Sequence, residues 1–252
     1  MLKINSNCYS HALIATLLVA SVGTTVRAGA EPWHKKYVAI TDPRSEKFVE
    51  DALADAVGFL GEPAIPVKKV HLRLSTPLDP SSKIKSGFQL CELVDADKGI
   101  FAIYLGRKPT EYAYHGQLAH EVAHLVNARL YDCYVEGLNT VFAERFTKKK
   151  GFDWSGWDSY LRKGQDKFYG NTYVMMKDVT AAAGETHIKK LLTFARWSND
   201  AKTRMHIDIN AWLDSLPMDV RGPTRAAIMK HAEAVGQANE LNKNASTFVM
   251  PK

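Results

Sequence analysis

The sequence is short of several things at once, and each shortage removes a class of protein. Three cysteines in 252 residues are too few for a disulfide-stapled scaffold or a multi-cysteine zinc ribbon. Only 16 Gly and 10 Pro occur, with no repeat and no low-complexity run, which excludes collagen-like and disordered chains. The net charge is a modest +6, and its Lys and Arg are scattered rather than gathered into a stripe with aromatics, so no nucleic-acid partner is expected. No apolar run reaches the length of a bilayer-spanning helix.

The longest apolar run, residues 12–20, lies near the start of the chain. Lys3 precedes it, and Ala28-Gly29-Ala30 supplies small residues at both specificity positions of a signal-peptidase site. Residues 1–30 therefore read as a signal peptide cleaved before Glu31, with a membrane anchor as the alternative. The chain is expected to be exported, periplasmic or secreted, without stable membrane insertion once cleaved. Residues 31–252 suit one domain with one core in two lobes, 31–126 and 127–252.

The first lobe carries the strand signals. Phe48, Ala52, Ala56 and Phe59 recur at helical spacing and predict a helix over 45–60, stopped by Gly61. Strands are predicted over 71–75, 87–93 and 99–105, the last two joined by a hairpin loop at 95–98. From 110 onward the pattern is helical, with helices predicted over 110–126, 135–150, 157–163, 171–183, 186–197, 200–216 and 223–241. The helix over 186–197 has an apolar stripe of Ile188, Leu191, Leu192 and Phe194 that reads as core. Residues from 242 read as a frayed tail. The order implies an α+β fold with a helical second lobe.

The informative stretch is His120-Glu121-Val122-Ala123-His124, an H-E-x-x-H pattern on a predicted helix. At about 100° per residue, the two histidines point roughly 40° apart, onto one face. Leu118, Val122 and Leu125 form a core stripe on the opposite face, and Glu121 lies on the flank. Two imidazoles one turn apart suit a tetrahedral Zn2+, a third protein ligand leaves one position for water, and a neighbouring carboxylate can move that water's proton. The plain alternative is a helix with two solvent-facing histidines. His34, His71, His115, His187, His206 and His231 have no ligand spacing relative to the pair.

Two downstream glutamates compete for the third ligand position, Glu136 and Glu144, eight residues apart on one predicted helix. With its Val135-Glu136-Gly137-Leu138 phrase, the sequence resembles the gluzincin metallopeptidases. The phrase is similar to the N-E-G segment of aminopeptidase N relatives and to the E-G segment of plant basic secretory proteins and minigluzincins. The resemblance implies that Glu136 is the third zinc ligand. Glu144 has the longer spacing of thermolysin-like enzymes but no following Gly. Many relatives carry an acidic residue four positions after the ligand to orient a histidine; here it is Thr140. A tyrosine opening a later helix serves the oxyanion in these enzymes, which points to Tyr169 first and Tyr173 second. The strand before the metal helix is often an exposed edge that pairs with extended substrate, which would be 101–105; a buried inner strand is the alternative. Gly137 fits a close approach of helices. The resemblance spans roughly residues 101–192, under half of the chain.

The implied fold is zincin-like: a small mixed lobe with an antiparallel-edged sheet, a helical lobe, and a site in the cleft between them. The implied activity is that of an exported zinc peptidase acting on peptides or proteins, with His120, His124 and Glu136 on the metal and Glu121 and Tyr169 in catalysis. Two rivals share the motif, a catalytically inactive zincin-like binding or scaffold protein and a zinc amidase acting on a cell-wall crosslink. Export would permit a disulfide between Cys91 and Cys133.

Overall fold

Asp42 starts the first long helix by accepting from the main-chain N–H groups of Arg44 and Ser45 and from the Ser45 hydroxyl. Pro43 sits in the first turn, and Gly61, at φ 103°, releases the chain. This is helix α1 (Pro43–Leu60), and its predicted face of Phe48, Ala52, Ala56 and Phe59 is buried. The computed structural model describes residues 37–75, 89–164, 166–198, 200, 202–242 and 246–252. The expected signal peptide, its cleavage point and His34 lie outside the described residues.

Strand β1 (Tyr37–Ala39) precedes α1, and β2 (Lys69–Ser75), β3 (Leu90–Asp95) and β4 (Ile100–Leu105) follow it. The sheet order is β1-β2-β4-β3. The two inner strands are parallel, Val70 opposite Phe101 and Leu74 opposite Leu105, and both outer strands run antiparallel to their neighbours. The expected β3–β4 hairpin is present. It makes β3 the outer strand and places β4 inside, so of the two readings of 101–105 the buried inner strand holds and the exposed edge does not: β2 pairs with its other side.

Helix α2 (Tyr114–His124) leaves the sheet, and α3 (Cys133–Lys149), α4 (Ser155–Arg162) and α5 (Lys167–Ala183) follow. A short α6 (Glu185–Ile188) and a 3-10 turn (Leu191–Phe194) lead to β5 (Ala195–Trp197), which pairs antiparallel with β6 (Met205–Ile207). Helices α7 (Ile209–Ser215) and α8 (Met218–Leu241) are the last regular elements described. The predicted helices over 186–197 and 200–216 are thus corrected: strand pairing of Ala195–Trp197 with Met205–Ile207 divides them, so the second lobe is not purely helical. Tertiary pairing outweighs a weak local preference here. Ile188 and Leu191 still reach the core.

The expected frayed tail is also corrected. Residues 246–252 are docked, with Thr247 paired to the segment before α3 and Pro251 buried. The main core runs from Ile40 to Ala238 through both halves, and Tyr37, Ala102 and Tyr104 form a small second cluster. Gly137 allows α3 and α5 to touch, since a Cβ there would lie 2.2 Å from the Thr172 carbonyl oxygen. Among the described residues, no helix is long and apolar enough to cross a membrane.

Candidate metal centre

Helix α2 is oriented by its apolar face. Leu118 and Val122 are fully enclosed, and Leu125, just past the helix, is nearly so, which turns His120 and His124 toward α3. Asp132 caps α3 by accepting from the Tyr134 N–H at 2.8 Å, and the first turn of that helix carries Glu136. The two helices bring three ligand atoms together. His120 Nε2 and His124 Nε2 are 3.3 Å apart, and Glu136 Oε2 lies 3.3 Å from the first and 3.6 Å from the second.

Those distances test whether a cation fits. Metal–ligand bonds of about 2.0–2.1 Å at tetrahedral angles place neighbouring ligand atoms about 3.3–3.4 Å apart. The observed triangle has that size. Glu136 Oε2 is buried and has no hydrogen-bond partner, an arrangement a protein rarely leaves uncompensated. The group His120, His124 and Glu136 could therefore hold a metal ion.

Thr140 accounts for the orientation of His120. Its hydroxyl donates to the Glu136 main-chain carbonyl at 2.9 Å, one turn back. With that proton committed, Oγ1 accepts from His120 Nδ1–H at 3.1 Å. This sets the tautomer whose Nε2 lone pair faces the site. A hydroxyl, four residues after Glu136, thus orients this imidazole.

The site is strongly polarised. Burial disfavours charge on His124, but the facing Glu136 carboxylate outweighs it and raises the imidazole to about 9. Glu136 is pushed up by burial, yet His124 and His120 opposite bring it well below the ordinary carboxylate range. Glu121 is buried and its pKa is raised by that burial, while the two histidines pull the other way. The main-chain N–H of Cys91, on β3, favours its charged form.

Tyr169 joins this group. Its ring meets His120 edge to face at 5.9 Å, and the Glu136 carboxylate and burial together raise its phenol well above the ordinary value. Asp166 caps α5 by accepting from the Tyr169 N–H at 3.1 Å, which fixes where the ring begins. Tyr173, one turn on, belongs elsewhere: it donates to Glu144 Oε2 at 2.9 Å. Glu144 is also paired with Lys148 and Lys177. Eight residues advance a helix by about 12 Å and turn it by about 80°, so the two glutamates of α3 serve different neighbourhoods.

The disulfide that export would permit is not present: Cys91 and Cys133 are both free and buried. Burial raises both thiols above their ordinary value. His115 stacks on Phe152 at 3.8 Å, away from the ligand pair.

His120 and Glu136 open on a cleft of about 730 Å³. Gln89 and Leu90 border it on the sheet side, Trp157, Tyr160 and Phe168 line another wall, and Tyr131 and Arg204 line a third. Sequence reasoning missed Gln117, which lines the cleft, is 7% exposed and buries an unpartnered Oε1. Its place three residues before His120, on the same helix face, was the available signal. Arg204, held 4.7 Å over the Tyr131 ring, carried no comparable signal. No family model matches this chain, and neither the curated proteins nor the solved structures yield a match.

Proposed function

We propose that this chain is an exported zinc-dependent peptidase of gluzincin type, on a zincin-like α+β fold. The observation that carries the reading is the triangle of His120, His124 and Glu136 ligand atoms, 3.3–3.6 Å on a side, with buried Glu121 beside it. Export rests on Lys3, the apolar run and the Ala28-Gly29-Ala30 site.

His120, His124 and Glu136 would hold the ion. When bound, zinc lowers the pKa of water in its open position to about 7 and polarises a carbonyl. The chain's own residues do the remaining work. Glu121 takes a proton from the attacking water and returns it to the leaving amine. Its burial keeps its proton affinity high enough for both halves of that exchange. Tyr169 keeps its phenolic proton far above neutral pH and donates a hydrogen bond to negative charge developing on the carbonyl oxygen. Thr140 keeps His120 in its ligating tautomer. The outer strand β3, rather than β4, offers main-chain groups to an extended peptide along the cleft.

The test compares the purified chain with Glu121→Gln. About one zinc per chain is expected in both, with hydrolysis of a peptide library falling by about 10²–10⁴-fold in the variant. Full activity in Glu121→Gln would remove the mechanism. Zinc without any cleavage would favour the scaffold role, and cleavage of cell-wall crosslinks alone would favour the amidase.

A further inference from the structure

The last described residues lie against the turn that presents Glu136. Thr247 donates its N–H to the Tyr131 carbonyl at 2.9 Å and accepts from the Cys133 N–H at 3.0 Å. The Tyr134 hydroxyl donates to the Val249 carbonyl at 2.6 Å, and its enclosed ring packs 5.5 Å from Phe248. The opposite side of the same segment is held by β6. Leu130 bridges Met205, and the Ile207 N–H donates to Asp132 Oδ2 at 3.0 Å. Residues 130–134 are therefore the middle rung of three short segments, and they run directly into the turn bearing the ligand.

The outer rung is itself anchored. Asn239 grips Ser246 in both directions, through Nδ2 to the Ser246 carbonyl at 2.7 Å and from the Ser246 N–H to Oδ1 at 3.0 Å. The Lys252 N–H donates to Asn210 Oδ1 at 2.8 Å, at the start of α7. Ser246 also lines the metal cleft.

We infer that residues 246–252 form a positioning strap for the metal centre, whose docking fixes the turn that aims Glu136 at His120 and His124. The inference rests on the metal-binding reading of that triad. A ligand carboxylate held by a freely moving turn would meet the ion in the right place only part of the time. A docked turn removes that loss, so zinc binding and strap docking stabilise each other, by the reciprocity of linked equilibria. Ordinary packing of a chain end carries no such coupling: loosening it would lower stability and leave the intrinsic zinc affinity alone.

The experiment uses the full chain and two variants, Thr247→Pro, which removes the N–H given to Tyr131, and Tyr134→Phe, which removes the hydroxyl given to Val249. Zinc affinity is measured by competition with a chelator, and strap docking by hydrogen exchange at the Thr247 and Cys133 amides. In the unaltered chain, zinc should slow exchange at both amides by about 5-fold or more, and Thr247→Pro should weaken zinc binding by at least that factor. Tyr134→Phe should weaken it by a smaller factor, about 2–5-fold. A strap that exchanges freely while zinc affinity stays at its original value would overturn the inference. If Thr247→Pro does not fold, Tyr134→Phe and the zinc dependence of Cys133 exchange decide. Failure of the unaltered chain to bind zinc would instead remove the metal reading itself, before any variant is made.

Discussion

Helix α3 carries two carboxylates largely withdrawn from water, and their surroundings are opposites. Glu144 is answered by the protein: Lys148, Lys177 and the Tyr173 hydroxyl supply charge and hydrogen bonds. Glu136 faces two imidazole nitrogens, and its inner oxygen has no hydrogen-bond donor. An acidic group removed from water needs compensation. At Glu144 the compensation is built in, whereas at Glu136 a proton or a cation must supply it. The contrast separates a carboxylate used for architecture from one that could serve a metal ion, on a single element and with the same residue type.

Exchanging the two glutamates singly for alanine is the strongest challenge to this contrast. Glu136→Ala should weaken zinc binding by about 100-fold or more, since it removes a whole ligand. Glu144→Ala should leave zinc binding within a factor of about two and lower stability by about 1–2 kcal/mol, a figure discounted because both lysines can turn to solvent. Chelator competition and thermal melts read the two effects, and equal losses of zinc in both variants would erase the distinction. Thr140→Val keeps the shape but removes the acceptor for His120 Nδ1–H. A loss of about 10-fold in zinc affinity is expected, the lower end for a group supporting a ligand. Unchanged affinity would show that His120 needs no orienting partner.

The smallest effect is on pH. In the metal-free protein His124 titrates at about 9, above its ordinary 6.5. Its pairing with Glu136 therefore stabilises fully below about pH 6.5 and is lost as pH rises through about 9. The metal-free protein should lose a few degrees more of Tm than the zinc-loaded protein between pH 7.5 and 9.5, because the ion has already displaced that proton. The two buried thiols are common to both forms, so parallel Tm curves would show that His124 holds no extra proton.

Much of this was legible in the sequence. The apolar positions Leu118, Val122 and Leu125 fixed the frame of α2, which in turn dictated where His120 and His124 could point. Phe48, Ala52, Ala56 and Phe59 did the same for α1. What stayed hidden depends on contacts between distant segments. Nothing local in Ala195–Trp197 announces a strand, because its partner Met205–Ile207 supplies the reason. Residues 246–252 have no periodic pattern, yet main-chain bonds to Tyr131 and Cys133 seat them. Glu144 competed with Glu136 on paper because both occupy one helix. The position of α5, which brings Tyr173 and Lys177 to one and Tyr169 beside the other, decides between them.

Gly137 carries a consequence for inheritance. The bare Cα beside Glu136 sets how near α5 can come, and hence how near Tyr169 can stand to the imidazoles. Even one methyl group at that point would act as a spacer, parting aromatic and ligand while leaving each intact. Descendants of this architecture would keep glutamate and glycine as an inseparable couple, one half for the ion and the other for the clearance.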